Sequence, residues 1–437
     1  MGVRRAKTMS HPISPSNAAP NPEFLWGVGS SAHQIEGHRA GRNSVWDRFS
    51  ELPGKVADGF RADVGCDHYH RFREDIALMR ELGLNSARFS ISWPRVEPTE
   101  GVLGDWDFYD VLVDAYLEAG IQPIVNLFHW DFPLWAEDDG GWNDPRTPDR
   151  FGAYARRAVE KLGDRVQTWF TFNEPNCYVG DGLMGTVHAP GHNWDWGQGT
   201  IAIRTFFRAH KLAMQAIRAG GGQVSIALTG SVSCPALPEQ ELAAYEKTFS
   251  TPSRSLWPFP FWSDPLIGGN WNREALDTVP ELELVYEDDP PEPVDFTTLN
   301  LYSGDAELKP GHAVSAFNWP VTPEVLYWGP KFFHQRYGKP VLIGENGMAG
   351  IEWPDLEGKV EDPARVNFLR RHLQELQRAM DEGVPVLGYH HWTLLDNFEW
   401  QEGFRKRFGL VYVDFESGER IPKSSFYAYQ DLIRRSR

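Results

Sequence analysis

Cysteine is scarce in this chain. Its 437 residues hold three, Cys66, Cys177 and Cys234. They are odd in number and too scattered for a disulfide framework or a zinc site, so a reducing cytoplasm fits. Positive charge is also in deficit: 43 Lys and Arg against 60 Asp and Glu leave a net charge of −17. That argues against nucleic acid or an anionic membrane surface as partner, because both select basic patches. No apolar run is long enough to span a bilayer. The opening stretch MGVRRAKTMSHPISPSNAAP starts basic but has no apolar segment after it, and is not expected to act as a secretory signal. No GxGxxG follows the first strand-like run, and GQGT at 197–200 is not a phosphate loop. With no dividing linker and no internal repeat, residues 1–20 read as a disordered extension and 21–437 as one catalytic unit.

Aromatic side chains and short β-rich runs are abundant. The chain has 18 Trp, many beside Gly, Pro, Asn, Asp or Glu. Such rings serve either as core plugs or as platforms for the apolar faces of sugars. Candidate strands are 24–29, 86–92, 122–129, 166–173, 223–230, 294–302, 340–346 and 384–392. Amphipathic helical patterns lie between most of them, over 68–83, 153–162, 205–219, 323–337 and 362–382. Gly83, Gly120, Gly163, Gly220 and Gly338 stand where those patterns stop. Eight strands alternating with helices predict an α/β fold, a single (β/α)₈ TIM barrel with its active site at the C-terminal ends of the strands. The Pro-, Trp- and Gly-rich stretch 251–293 is expected to be a long loop insertion.

Polar residues gather at the predicted strand ends. The run VQTWFTFNEPNCY (166–178) drives an apolar strand toward the core and ends it in Asn173-Glu174-Pro175. The seventh strand ends in Glu345, nearly opposite in a closed barrel. Paired carboxyls flanking a glycosidic bond perform hydrolysis, one protonated as acid and one ionised. Glu174 follows an aromatic strand and has neutral Asn173 beside it, which favours a raised pKa by desolvation. Arg88, at the end of the second strand, is placed to keep Glu345 anionic.

TFNEP (171–175), ENG (345–347) and WTLLDNFEW (392–400), supported by FLWGVGSSAHQIEG, RFSISWPR and LFHWDFP, occur here in one order. With them the chain resembles glycoside hydrolase family 1, the β-glucosidase and β-galactosidase family, over nearly all its length. The resemblance implies a retaining exo-β-glycosidase acting on a small-molecule β-glucoside or oligosaccharide, with β-galactosides and β-fucosides as further substrates. It implies no metal or cofactor, and it is compatible with a homo-oligomer. Glu174 would be the acid/base and Glu345 the nucleophile, about 5–5.5 Å apart. Arg88, Asn300 and Tyr302 would orient the nucleophile. Gln34, His129, Asn173, Glu399 and Trp400 would hold the sugar hydroxyls over Trp392. Trp319, Phe408 and His188 would lie on the substrate path, Trp319 and His188 toward the leaving group. Departures are GVGSS in the first strand, Gly344, the pair His390-His391, and the poorly matching loops 251–294 and 348–361.

Three other readings compete. A phospho-sugar hydrolase needs Ser where Glu399 stands and Tyr where Phe408 stands, and only Lys406 matches. A non-catalytic sugar-binding barrel is disfavoured by the presence of both glutamates. A metal-dependent barrel hydrolase would have to recruit His68 and His70, which fall at a helix start.

Overall fold

A computed structural model describes residues 24–37, 43–63 and 65–437; the extension expected over 1–20 lies outside the described residues. The eight strand-like runs form one closed parallel barrel, as expected. Its strands are β1 (Leu25–Gly29), β2 (Ser86–Ser90), β3 (Gln122–Asn126), β4 (Thr168–Asn173), β5 (Gln223–Thr229), β6 (Thr297–Asn300), β7 (Val341–Asn346) and β8 (Val386–His391). Each pairs with its neighbours in chain order, and β8 pairs back on β1, with Leu25 opposite Gly388. Parallel strands buried on both faces explain why these runs read as almost continuously apolar. Ile124, Phe170, Ala227, Phe296 and Leu342, drawn from neighbouring strands, form a small apolar plug inside the barrel, separate from the main core. That main core lies between strands and helices. On its β4 side Trp142 stacks on Phe206 at 3.8 Å and Phe151 on Phe172 at 4.7 Å.

The surrounding helices are α1 (His68–Leu82), α2 (Trp106–Glu118), α3 (Thr147–Leu162), α4 (Trp196–Ala219), α5 (Phe259–Gly268), α6 (Val325–Tyr337), α7 (Pro363–Asp381) and α8 (Ser424–Ser436). α3 and α4 begin well before the periodic patterns that announced them. Pro148 opens α3, and the Asp195 side chain caps α4 by accepting from the Gln198 N–H at 3.0 Å. The stretch 251–293 is not a plain loop: it contains α5 and several short turns. Pro265 sits inside α5, which is why the sequence looked helix-breaking. Among the described residues no helix is long and apolar enough to cross a membrane.

Irregular pairing re-aims the ends of two strands. Between β4 and β5 the register shifts between Phe170 and Asn173. Between β6 and β7 it shifts between Leu299 and Asn300, so that Asn300 faces Glu345 and Gly344 is skipped. Such bulges turn a side chain out of strict alternation and are common beside active sites. Here they bring Asn173 and Glu345 to the inner rim. Gly344 is glycine for space: a Cβ there would stand 2.6 Å from Thr298 Cγ2 and 2.7 Å from Asn300 Oδ1.

Candidate active site

Glu174 is the first residue beyond β4. Its backbone is left-handed, φ +46°, and its N–H donates to Ala227 O at 2.9 Å. A non-glycine residue in that region is held there by its surroundings. Pro175 starts a single helical turn in which the Cys177 N–H donates to Glu174 O at 3.0 Å. The same turn places the Cys177 thiol 3.3 Å from Glu174 Oε2, while Asn300 Nδ2 donates to Oε1 at 2.7 Å. Burial, and then the nearby Glu345 charge, push the Glu174 carboxyl up to about 8 against those two hydrogen bonds and Arg88.

Glu345 sits near the end of β7, 3% exposed. Burial raises its pKa as well, but three donors oppose it: the Arg88 guanidinium, the Tyr302 hydroxyl and the Asn300 amide. Of the two carboxyls, Glu345 is therefore the one that ionises first. Arg88 lies in the middle of β2 rather than at its end, and its other arm donates to Asn173 Oδ1 at 3.0 Å. Asn300 corrects the sequence reading, because its clearest bonds go to Glu174 and to Asn173 Oδ1 (3.1 Å). It thus serves both carboxyls rather than Glu345 alone.

Around this pair stands a ring of polar groups. Gln34 Nε2 donates to Phe398 O at 2.9 Å and reaches Glu399 Oε2 at 3.4 Å. Burial, with the charges of Glu345 and Glu174, lifts the Glu399 carboxyl to about 8. His129 Nε2 lies 3.2 Å from Asn173 Nδ2, and burial with Arg88 keeps its ring neutral. The His129 ring stacks between Trp392 (5.8 Å) and Trp400 (6.0 Å). Trp319 is 38% exposed, stacks on Phe317 at 4.6 Å, and faces Tyr302 and Phe408 at 5.5 and 6.4 Å. His188 belongs to the Trp400 side of the rim, packed 5.2 Å from Trp130, with Nε2 2.8 Å from Gln401 Oε1.

Two contributors escaped the sequence reading. In the sequence Cys177 reads only as a thiol, although its place three residues after Glu174 suits a side-chain contact across a helical turn. Trp130, in a left-handed conformation (φ +77°), donates its indole N–H to Asn173 O at 2.9 Å and packs on Trp400 at 4.7 Å. Nothing in its sequence neighbourhood marks that conformation. The suspect histidines lie elsewhere. His68 is buried against Asp75 at 2.7 Å, the exposed His70 pairs with Asp67, and His390 Nε2 meets Ser86 Oγ at 3.0 Å. Lys406 Nζ donates to Ala316 O at 2.7 Å.

A closed parallel barrel with two buried carboxyls, one of them ion-paired, and aromatic walls on its C-terminal rim defines a barrel glycoside hydrolase. The chain belongs to glycosyl hydrolase family 1, whose sequence profile matches residues 17–306 and 283–437. Beta-glucosidase A of Thermotoga maritima is 37% identical to it, over 94% of this chain and 97% of that protein. The bifunctional beta-D-glucosidase/beta-D-fucosidase of Bifidobacterium breve is 35% identical over the same shares. Among solved structures, the Thermotoga maritima beta-glucosidase in complex with deoxynojirimycin superposes with a TM-score of 0.87 at 36% identity. That match covers 95% of this chain and 98% of the other.

Proposed function

We propose that the protein is a retaining exo-β-glucosidase in which Glu174 is the acid/base and Glu345 the nucleophile. The observation that carries this is the asymmetry of the pair: Glu174 keeps a proton up to about pH 8, whereas Glu345 is bonded to a guanidinium and a phenol. The Glu345 carboxylate attacks the anomeric carbon as Glu174 protonates the departing oxygen. A covalent glycosyl-enzyme forms and the aglycone leaves. Glu174, now ionised, takes a proton from water, and the resulting hydroxide displaces Glu345 with restored configuration. Asn300 touching both carboxyls supports the short separation, about 5–5.5 Å, that retention uses.

Gln34, His129, Asn173, Glu399 and Trp400 hold the hydroxyls of the sugar above Trp392, with Phe408, Trp319 and His188 along the path outward. Glucose is the expected sugar, because the relatives are named for it. The Bifidobacterium enzyme's name supports fucosides, and galactosides are expected more weakly. Glu399 and Phe408 stand where a phospho-sugar hydrolase needs Ser and Tyr, and Lys406 is already committed to Ala316, so the phospho-sugar reading is not favoured. Three unpaired thiols suit the cytoplasm.

The deciding experiment follows 4-nitrophenyl β-D-glucoside by proton NMR in wild type and Glu345→Gly. Wild type should release β-glucose first, with or without EDTA, and the variant should be at least about a thousandfold slower. Initial release of α-glucose, or an active variant, would overturn the assignment.

A further inference from the structure

A buried group of charged side chains is left unused by the roles above. Asp396, Glu352 and Asp362 face Lys423, Arg407 and Arg365. Asp396, Lys423 and Arg365 are fully buried. The centre is Asp396, in the stretch WTLLDNFEW. Its Oδ1 accepts from Lys423 Nζ at 2.8 Å and from the Gly409 N–H at 3.0 Å, and its Oδ2 accepts from Arg407 Nη1 at 2.8 Å. Lys423 Nζ also lies 3.5 Å from Glu352, which pairs with Arg365 at 3.2 Å. Arg365 in turn donates to Arg407 O at 2.7 Å and to Met348 O at 3.1 Å.

Each segment tied together in this way carries a site residue close by in the chain. Asp396 stands three residues before Glu399 and four before Trp400, Arg407 and Gly409 flank Phe408, and Met348 stands three residues after Glu345. Main-chain bonds join the same segments: the Asp396 N–H donates to Val411 O at 2.9 Å and the Leu410 N–H to Thr393 O at 3.0 Å. Lys423 arrives from the far end of the chain, directly before α8, and its own N–H donates to Leu410 O at 2.9 Å. Stability alone is a poor reason for these charges. Taking them out of water is costly, and well-packed apolar side chains of similar volume often hold a buried junction as firmly. What charged hydrogen bonds add is direction, since each fixes an angle as well as a distance. A carboxylate held by three donors on separate segments has one orientation, and the short run from Asp396 to Glu399 is set with it. Recognition of a sugar needs that definition, which a site obtains from the groups that lock its contact residues in place.

We propose that Lys423 and Asp396 are a positioning pair that holds Glu399 in the attitude the sugar requires. The inference rests on the glycosidase reading above and adds to it two residues that never touch the substrate. Both act through Glu399, and one of them is supplied by the C-terminal segment. Their effect on turnover therefore exists only while Glu399 keeps its carboxylate.

The test is a double-mutant cycle on kcat/KM for 4-nitrophenyl β-D-glucoside and β-D-fucoside. Lys423→Met removes the charge and keeps the length of the side chain. Asp396→Asn keeps the shape, and decides the matter if the lysine variant does not fold. Each is measured alone and combined with Glu399→Gln, well below the melting temperature. Alone, each should lose at least about tenfold on the glucoside, in the range that a small misplacement of a contact residue costs. Added to Glu399→Gln, each should cost less than about threefold more, because the group it positions is already gone. The ratio of glucoside to fucoside activity should shift in the same direction in the single variants as in Glu399→Gln. A full further loss of about tenfold in the double variants overturns the pair, since independent damage adds. Unchanged activity in the single variants, or an unchanged sugar ratio, overturns it as well. These outcomes leave the glycosidase reading intact, whereas a wild type that hydrolyses neither glycoside would sink the function proposed above.

Discussion

Glu174 is useful because it is uncomfortable. Its carboxyl is buried beside Glu345, and against that stand an amide, a thiol and the more distant Arg88 charge, which favour its ionised form. The acid role proposed for it needs the proton, so kcat/KM should fall as pH rises through about 8. The Cys177 thiol stabilises the charged form. Replacing it with alanine should move that alkaline limb upward by about half a pH unit. Serine at the same position should largely restore it, because a hydroxyl also donates. A limb that stays put in the alanine variant would mean the thiol is only packing. The carboxyls themselves were legible in the sequence, since each ends a strand-like run in a pattern with few structural explanations. Cys177 was not, because its importance depends on the turn that follows the strand, and Pro175 reads there only as a stop.

At the scale of elements, a glycine and a histidine on adjacent strands explain one another. Gly27 of β1 lies opposite His390 of β8, and a Cβ on Gly27 would stand 2.3 Å from the His390 ring. The histidine occupies the volume the glycine vacates and reaches over β1 to Ser86 of β2 at 3.0 Å. Gly27→Ala should therefore destabilise by about 1–3 kcal/mol through overpacking. Combined with His390→Ala it should cost clearly less than the sum of the two, with a coupling of about 1 kcal/mol or more in denaturant unfolding. Strict additivity would refute the contact. Gly344 gives a companion case: Gly344→Thr should push Asn300 aside, depress kcat and destabilise by about 1–3 kcal/mol through overpacking, read from kinetics and thermal melting together. Strand existence was legible because burial on both faces writes a continuous apolar run. Bulges leave no such trace, since one skipped residue changes the register without changing composition. The helix inside 251–293 was hidden by its prolines, because packing decides at such a site what propensity opposes.

For the molecule as a whole, proton balance sets the pH of greatest stability. Burial holds His33, His129, His188, His210, His372, His390 and His391 below the usual histidine range. The unfolded chain takes up protons at these sites below about pH 6.5 and the folded chain does not, so stability rises with pH up to that point. Glu174 and Glu399 work in the opposite direction. Folded, they keep protons to about 8. Unfolded, they release them near the ordinary glutamate value, so they erode stability as pH climbs toward 8. The melting temperature should therefore peak near pH 6.5–7 and decline by a few degrees toward pH 8.5. Glu399→Gln should flatten the alkaline decline and steepen the rise on the acid side, while abolishing most activity. A melting temperature that climbs steadily through pH 8 would contradict this balance.

Closure of the barrel has a consequence in time. β1 finds its second neighbour only in β8, and the Tyr429 hydroxyl of α8 donates to Gly27 O at 2.9 Å. On a ribosome adding roughly 5–20 residues per second, the strand made first waits for the strand made last. During that interval the nascent chain already carries Glu174, but Glu345 and the loop bearing Glu399 and Trp400 are still to be made. A tethered fragment is therefore chemically silent. Hydrolysis should switch on in a single step when the full chain is released, with no partly active precursor along the way.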